Sequence, residues 1–268
     1  MDRHEKRPLL LAGEDLHILN PRFQQVLAAG DEEGLIGLAH SQIHGGATAL
    51  AINPGPAQSM ADRLPWIVET IQGRWDIPLL LPAVAHLEEA LDRHRGRATI
   101  NAVTANPDSL DAFIHLAKEH DANLVVLLTR PGLWATGSEE QLQMAIDVLE
   151  RTDAIGLPLA NIYLDPVLSV RIDPLSWNLS GGMPDLDRVL ELISLIGELT
   201  DNRARTMVAL SNGTLGLPAV RRSALHCRML PLLVEAGLRA VILNCRDRSL
   251  MQLAQTLASG KRLQKKAA

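Results

Sequence analysis

The sequence predicts an α/β protein of the (β/α)8 TIM-barrel class, a single domain over residues 1–268 with a basic tail at about 260–268. Three observations predict it. Eight short apolar runs alternate with amphipathic stretches. No long linker divides the alternation. The length, 268 residues, suits a barrel that typically takes about 250 residues. An open, doubly wound sheet shares the alternation. The phosphate loops that mark nucleotide-binding sheets, GxGxxG after the first strand and GxxxxGK[ST], are missing.

Taken in order, the predicted strands are Pro8–Ala12, Ala47–Ile52, Pro78–Leu81, Ala98–Val103, Asn123–Thr129, Asn161–Leu164, Arg205–Leu210 and Arg239–Leu243. Each is a run of apolar residues that ends in small polar groups, proline or glycine, as a buried parallel strand does where its backbone leaves the sheet. The helices between them carry boundary signals. Asn106-Pro107-Asp108 opens Ser109–Glu119, and Ser138-Glu139-Glu140, a cap followed by first-turn carboxylates, opens Gln141–Thr152. Gly30, Gly45-Gly46, Gly156 and Gly237 close helices ahead of the next strand.

Composition excludes several classes of function. A net charge of −5 leaves no electrostatic footprint for nucleic acid; only Lys261-Arg262-Leu263-Gln264-Lys265-Lys266 is basic, and it reads as a solvated end. Two cysteines, Cys227 and Cys245, make no disulfide framework and lack metal spacing, so a cytoplasmic location is the default. Leu9-Leu10-Leu11-Ala12 is too short for a signal peptide, and no stretch approaches a membrane span. There is no GxSxG elbow and no HExxH. His40 and His44 lie four apart on a helical stretch without a third metal ligand, His86 follows the third strand, and Arg130-Pro131-Gly132 reads as a loop with an exposed charge.

In a barrel the chemistry collects where the strands end and the βα loops converge. Those positions read Gly13-Glu14, Asn53-Pro54-Gly55, Pro82, Asn101, Thr129-Arg130, Asp165-Pro166, Asn212 and Asn244. An asparagine there can simply form a turn. As a set, amides that donate and accept and a carboxylate that accepts suit a flat heterocycle with alternating N–H and C=O groups, and do not suit phosphate.

This ordered set resembles the pterin-binding barrels, and within them the methyltetrahydrofolate:corrinoid methyltransferases. The resemblance covers nearly the whole chain. It rests on Gly13-Glu14 with Asn20-Pro21-Arg22, on Gly45-Gly46-Ala47 leading to Asn53-Pro54-Gly55-Pro56, and on Gly96-Arg97-Ala98-Thr99-Ile100-Asn101-Ala102-Val103. Tyr163-Leu164-Asp165-Pro166, Leu210-Ser211-Asn212 through Gly216-Leu217-Pro218, and Ala236-Gly237-Leu238-Arg239-Ala240-Val241-Ile242 complete it. The chain is less similar to dihydropteroate synthase, whose Ser-Arg-Lys phosphate segment has no counterpart in Ser211-Asn212-Gly213.

The resemblance implies a methyltransferase that moves a methyl group between N5 of methyltetrahydrofolate and the cobalt of a corrinoid (cobalamin). No DxHxxG-type segment is present, so the corrinoid comes on a separate partner protein. It implies Asn101 and Asp165 on the pterin edge, Asn212 as the catalytic group reaching N5, Glu14, Asn20 and Asn53 among the substrate-binding residues, no metal ligands, and a homodimer as an assembly the family commonly uses. Two departures bear on the mouth. Pro82-Ala83-Val84-Ala85 stands where the family carries an Asp-x-x-Asn-like element, and Leu225-His226-Cys227-Arg228 stands for a Leu-Asn-Arg-like segment. The alternatives are a non-catalytic barrel serving as subunit or scaffold in one-carbon metabolism, or a same-fold enzyme with a changed substrate.

Overall fold

The computed structural model describes residues 8–130, 137–171 and 183–260. Eight parallel strands close into a barrel: β1 (Leu10–His17), β2 (Ala49–Asn53), β3 (Leu79–Leu81), β4 (Thr99–Thr104), β5 (Asn123–Leu127), β6 (Ile162–Asp165), β9 (Arg205–Ala209) and β10 (Ala240–Leu243). A two-residue antiparallel ribbon, β7 (Val170–Arg171) and β8 (Met183–Pro184), follows β6. The first half carries α1 (Pro21–Ala29), α2 (Glu32–His44), α3 (Gln58–Ala61), α4 (Leu64–Gln72) and α5 (Leu87–Arg93). The second carries α6 (Pro107–Glu119), α7 (Ser138–Ile155), α8 (Leu186–Leu199), α9 (Ala219–Ala236) and α10 (Arg248–Ala258).

The strand order β1-β10-β9-β6-β5-β4-β3-β2 returns to β1, the connectivity of a TIM barrel. Each of the eight predicted apolar runs lies on one of these strands. Alternation along the strands divides the core in two. Leu11, Leu50, Ile100, Leu124, Leu164 and Val208 face the helices, whereas Ala12, Ala49, Leu80, Val125, Tyr163, Met207 and Ala240 fill the barrel itself. Small Ala12, Ala49 and Ala240 inside leave room for Tyr163, the one aromatic side chain of this cluster.

The helix boundaries follow local chemistry. Asn106 caps α6 by accepting from the Asp108 N–H, and Gly30, Gly156 and Gly237 take left-handed conformations past helix ends. Two expectations need correction. Ser138 is not the cap of α7, because Gly137 holds that position and the Ser138 hydroxyl instead donates to Glu191 at 2.7 Å. Gly45 is right-handed, and it is Gly46, at φ 103, that takes the left-handed conformation.

The main departure is at β1, which runs on through Gly13-Glu14-Asp15 to His17 where the sequence predicts a loop. Against β2, Gly13 pairs with Leu50 and Leu16 with Ile52, so three steps on one strand match two on the other. The same slip occurs in β4, where Ile100 pairs with Leu124 and Val103 with Val126. Such bulges re-aim side chains and gather near functional sites. Here they fall on Glu14-Asp15 and on Asn101-Ala102.

Candidate active site at the C-terminal mouth

Parallel strands place all their C-terminal ends on one rim. Side chains alternate, so two residues beyond each inner-core residue lies the next inward position. That rule sets Asn53 beyond Ala51, Pro82 beyond Leu80, Asp165 beyond Tyr163 and Asn244 beyond Ile242, all toward the barrel axis. Ladder register puts Asp165 level with Leu127 and Thr104, so Asn101 lies about one side-chain layer deeper in the mouth.

Asp165 is the pivotal group. It is 4% exposed, and its Oδ1 accepts from the Val167 N–H at 2.8 Å; its other oxygen makes no hydrogen bond with the described residues. Burial pushes the carboxyl up to about 7, against the Val167 hydrogen bond and the positive charge of Arg188, which lower it. The loop that follows is held under tension. Val167 sits at φ 55, a left-handed conformation that costs a β-branched residue about 1–3 kcal/mol. Arg188 on α8 fixes it by donating to the carbonyls of Pro166 and Val167 at 2.9 and 3.0 Å, while Gln141 on α7 donates to Pro166 O at 3.1 Å.

Asn101 is half-buried and its carboxamide makes no hydrogen bond with the described residues. Asn212 lies on a 3-10 turn, Leu210–Thr214, past β9; it is exposed and its side chain is equally uncommitted. The turn is pinned from both sides. Gly213 packs so closely on buried Leu168 that a Cβ there would lie 2.7 Å from two of its carbons, which ties the Asn212 turn to the Asp165 loop. From behind, the Thr214 hydroxyl and His226 Nε2 on α9 are 2.8 Å apart. Burial lowers the His226 pKa, so a neutral imidazole makes this contact. The Leu225-His226 segment thus acts as a staple under the turn.

Glu14 completes this side of the mouth. Burial raises its pKa and Asp15 adds to the rise, while a hydrogen bond with Ser211 and the charge of Arg222 oppose it. Asp15 pairs with Arg246 at 2.6 Å, and its N–H donates to Gln42 Oε1 at 2.9 Å. Gly13 makes that approach feasible, since a Cβ would meet Gln42 Oε1 at 2.3 Å. Beside it the Cys245 thiol is pushed up to about 12 by burial and by Asp15 and Glu14, so it offers no thiolate nucleophile near neutral pH.

The other sequence-predicted residues are committed to the fold. Asn20 caps α1, its oxygen accepting from Arg22 N at 3.1 Å and its nitrogen donating to Asp15 O at 2.9 Å. Asn53 Oδ1 accepts from Gly55 N at 2.9 Å and its Nδ2 lies 3.2 Å from His17 Nε2. Asn244 accepts from Arg246 N at 2.9 Å in a turn. Pro82 is buried at the end of β3. His86 sits outside the mouth, 3.1 Å from both Asp62 and Glu89. Arg130 is not the exposed charge expected, because it is half-buried and pairs with Asp147 at 3.1 Å; Pro131 and Gly132 lie outside the described residues.

Sequence reasoning gives no role to His17, Ser211 or His226. His17 offers one signal, a position on the bulged extension of β1, opposite Asn53. The pairing of Thr214 with His226 spans twelve residues and has no local signature. Among the described residues no group of three or more His, Cys, Asp or Glu side chains could hold a metal; His40 and His44 stack on each other and His40 on Trp75. No helix is long and apolar enough to cross a membrane, again among the described residues.

No family model matches the sequence. Among solved structures, the chain is similar to Yersinia pestis DHPS with a pterine-sulfa conjugate, at a TM-score of 0.64 and 14% identity, over 95% of this chain and 94% of that one. The shared property is the fold. The match spans the whole barrel, with no large part of either chain left over.

Proposed function

We propose that this barrel binds a pterin at its C-terminal mouth and moves a methyl group between N5 of methyltetrahydrofolate and the cobalt of a separate corrinoid protein. The observation that carries the reading is the pairing of a buried, half-satisfied carboxylate, Asp165, with an uncommitted carboxamide, Asn101, one layer below it. A pterin edge presents adjacent N–H donors and a carbonyl. The free Asp165 oxygen accepts from the donors, and Asn101 supplies the complementary donor and acceptor. Ionised in the complex, Asp165 gains a charge-assisted contact worth about 1.5–3 kcal/mol.

Methyl transfer breaks the N5–CH3 bond and leaves its electron pair on nitrogen, so N5 must be electron-poor. Asn212 can draw that density away, being exposed, uncommitted and held on a turn clamped by Leu168 and His226. Its amide donates to N5, and Glu14, whose burial keeps a proton longer than an ordinary carboxyl, stands against the same turn through Ser211. The partner's corrinoid supplies the cobalt nucleophile, so the barrel needs no nucleophile of its own. The chain contributes orientation and polarisation.

The third-strand end favours a second reading. Pro82 brings no carboxylate to an inward position, which suits a same-fold enzyme for a less acidic-edged heterocycle. Transfer from methyltetrahydrofolate to cob(I)alamin, followed by loss of the cob(I)alamin absorbance, separates the two. On the methyltransferase reading Asn212→Ala lowers the transfer rate about a hundredfold, with affinity changed less than about threefold. A wild-type chain that binds the pterin and transfers nothing would move the assignment to the scaffold or changed-substrate class.

A further inference from the structure

A cavity of about 900 Å³ lies not at the mouth but at the opposite, N-terminal end of the barrel. Its polar lining is dominated by Arg203, Arg205 and Arg239, against Asp153 and Asp201 on the rim. None of these arginines forms an ion pair among the described residues. We infer that this end of the barrel holds a second binding site, for a small organic anion carrying a phosphate or carboxylate on an apolar body.

The geometry builds the anion subsite on Arg205. It begins β9 on the inward face, two residues before Met207, and its guanidinium lies 5.1 Å from the centre of the Tyr163 ring. Its Nη1 donates to the Tyr163 hydroxyl at 2.7 Å. Stacking and hydrogen bond together fix the planar fork in one orientation. Because Tyr163 accepts this bond, its own hydroxyl proton stays available to an acceptor in the cavity. Arg205 Nε is buried without a partner among the described residues, which satisfy the charge only in part. Arg239, half-buried in the same lining, has no side-chain partner among the described residues. A bound anion would balance both positive charges.

The remaining wall selects the body of the ligand. Leu10, Leu157, Pro158, Leu159 and Ala160 give it an apolar side. A bare inorganic anion would leave that side in water, and a neutral apolar molecule would leave the guanidiniums unpaired. The site is independent of the mouth, because the inner-core layer of Ala12, Ala49, Val125 and Met207 separates the two ends.

The test is calorimetric titration of the full chain with phenyl phosphate and phenylacetate, with inorganic phosphate and benzyl alcohol as the two half-probes. At least one aryl anion is expected to bind saturably, about tenfold tighter than either half-probe, and the tighter one names the head group. Arg239→Gln, which breaks no side-chain hydrogen bond among the described residues, should weaken it about tenfold, and Arg205→Gln should do the same or more. Asp165→Asn should leave it unchanged. No saturable binding, binding indifferent to Arg239→Gln, or loss in Asp165→Asn would overturn the inference.

Discussion

At the C-terminal end of the barrel the inward polar side chains are short, Asn53, Asn101, Asp165 and Asn244, and two of the eight strands are bulged there. At the N-terminal end the inward polar side chains Thr99, Asn123 and Asn161 are buried, the long cationic Arg205 stands beside them with Arg239 at the rim, and the strands enter in regular register. A cavity of about 900 Å³ belongs to the second end. What distinguishes the first is not volume but commitment. Its polar groups divide into those consumed by the fold, such as Asn20 and Asn53, and those held in place with capacity to spare, such as Asn101, Asn212 and one oxygen of Asp165. A site that positions and polarises a substrate needs the second kind supported by the first.

That division can be broken by experiment. Asn101→Ala removes an uncommitted amide, so it should weaken methyltetrahydrofolate binding about tenfold to thirtyfold by calorimetry while leaving the melting temperature nearly unchanged. A loss of stability without loss of affinity would place Asn101 among the structural amides.

A pH series sharpens the comparison through Asp165. Burial raises its pKa from 3.8 to about 7. The folded chain therefore resists ionisation that the unfolded chain accepts: the stabilising contribution is complete below about 3.8 and is lost as pH rises through about 7. Thermal stability of the free protein should fall over that window, and Asp165→Asn should flatten the fall. On the proposed function ligand binding runs the other way, since a pterin would take the ionised form. Affinity should drop up to about tenfold per unit as pH falls below 7, a dependence absent from Asp165→Asn.

The smallest expected effect on function belongs to a consumed group. Asn20→Ala loses the cap of α1 and should cost about 1 kcal/mol of stability, with pterin affinity within about twofold of wild type. An affinity loss as large as that of Asn101→Ala would show that the cap also touches substrate.

The barrel is legible in the sequence because its strands are apolar runs punctuated by glycine, proline and amides, a signal that survives without tertiary contacts. The mouth is legible only as a set of strand-end positions. Gly13-Glu14-Asp15 reads as a loop because polar residues interrupt the run, and only pairing with β2 shows that a bulge absorbs them. Nor can a sequence tell a committed amide from a free one. Asn53 and Asn101 stand at equivalent places, yet Gly55 and His17 occupy the first and nothing described occupies the second. The ribbon of β7 and β8 escapes notice because two-residue strands carry no periodicity. Arg130 reads as exposed because its partners, Ala105 O and Asp147, are distant along the chain.

The central claim is that Asp165 closes a pterin pocket at the mouth, and calorimetric titration of the full chain with methyltetrahydrofolate, wild type against Asp165→Asn, tests it most directly. The account predicts saturable binding near pH 7.5, one ligand per chain, that Asp165→Asn weakens about tenfold to a hundredfold without unfolding the protein. Equal affinity in the two proteins, or no binding to wild type at high micromolar ligand, would contradict it.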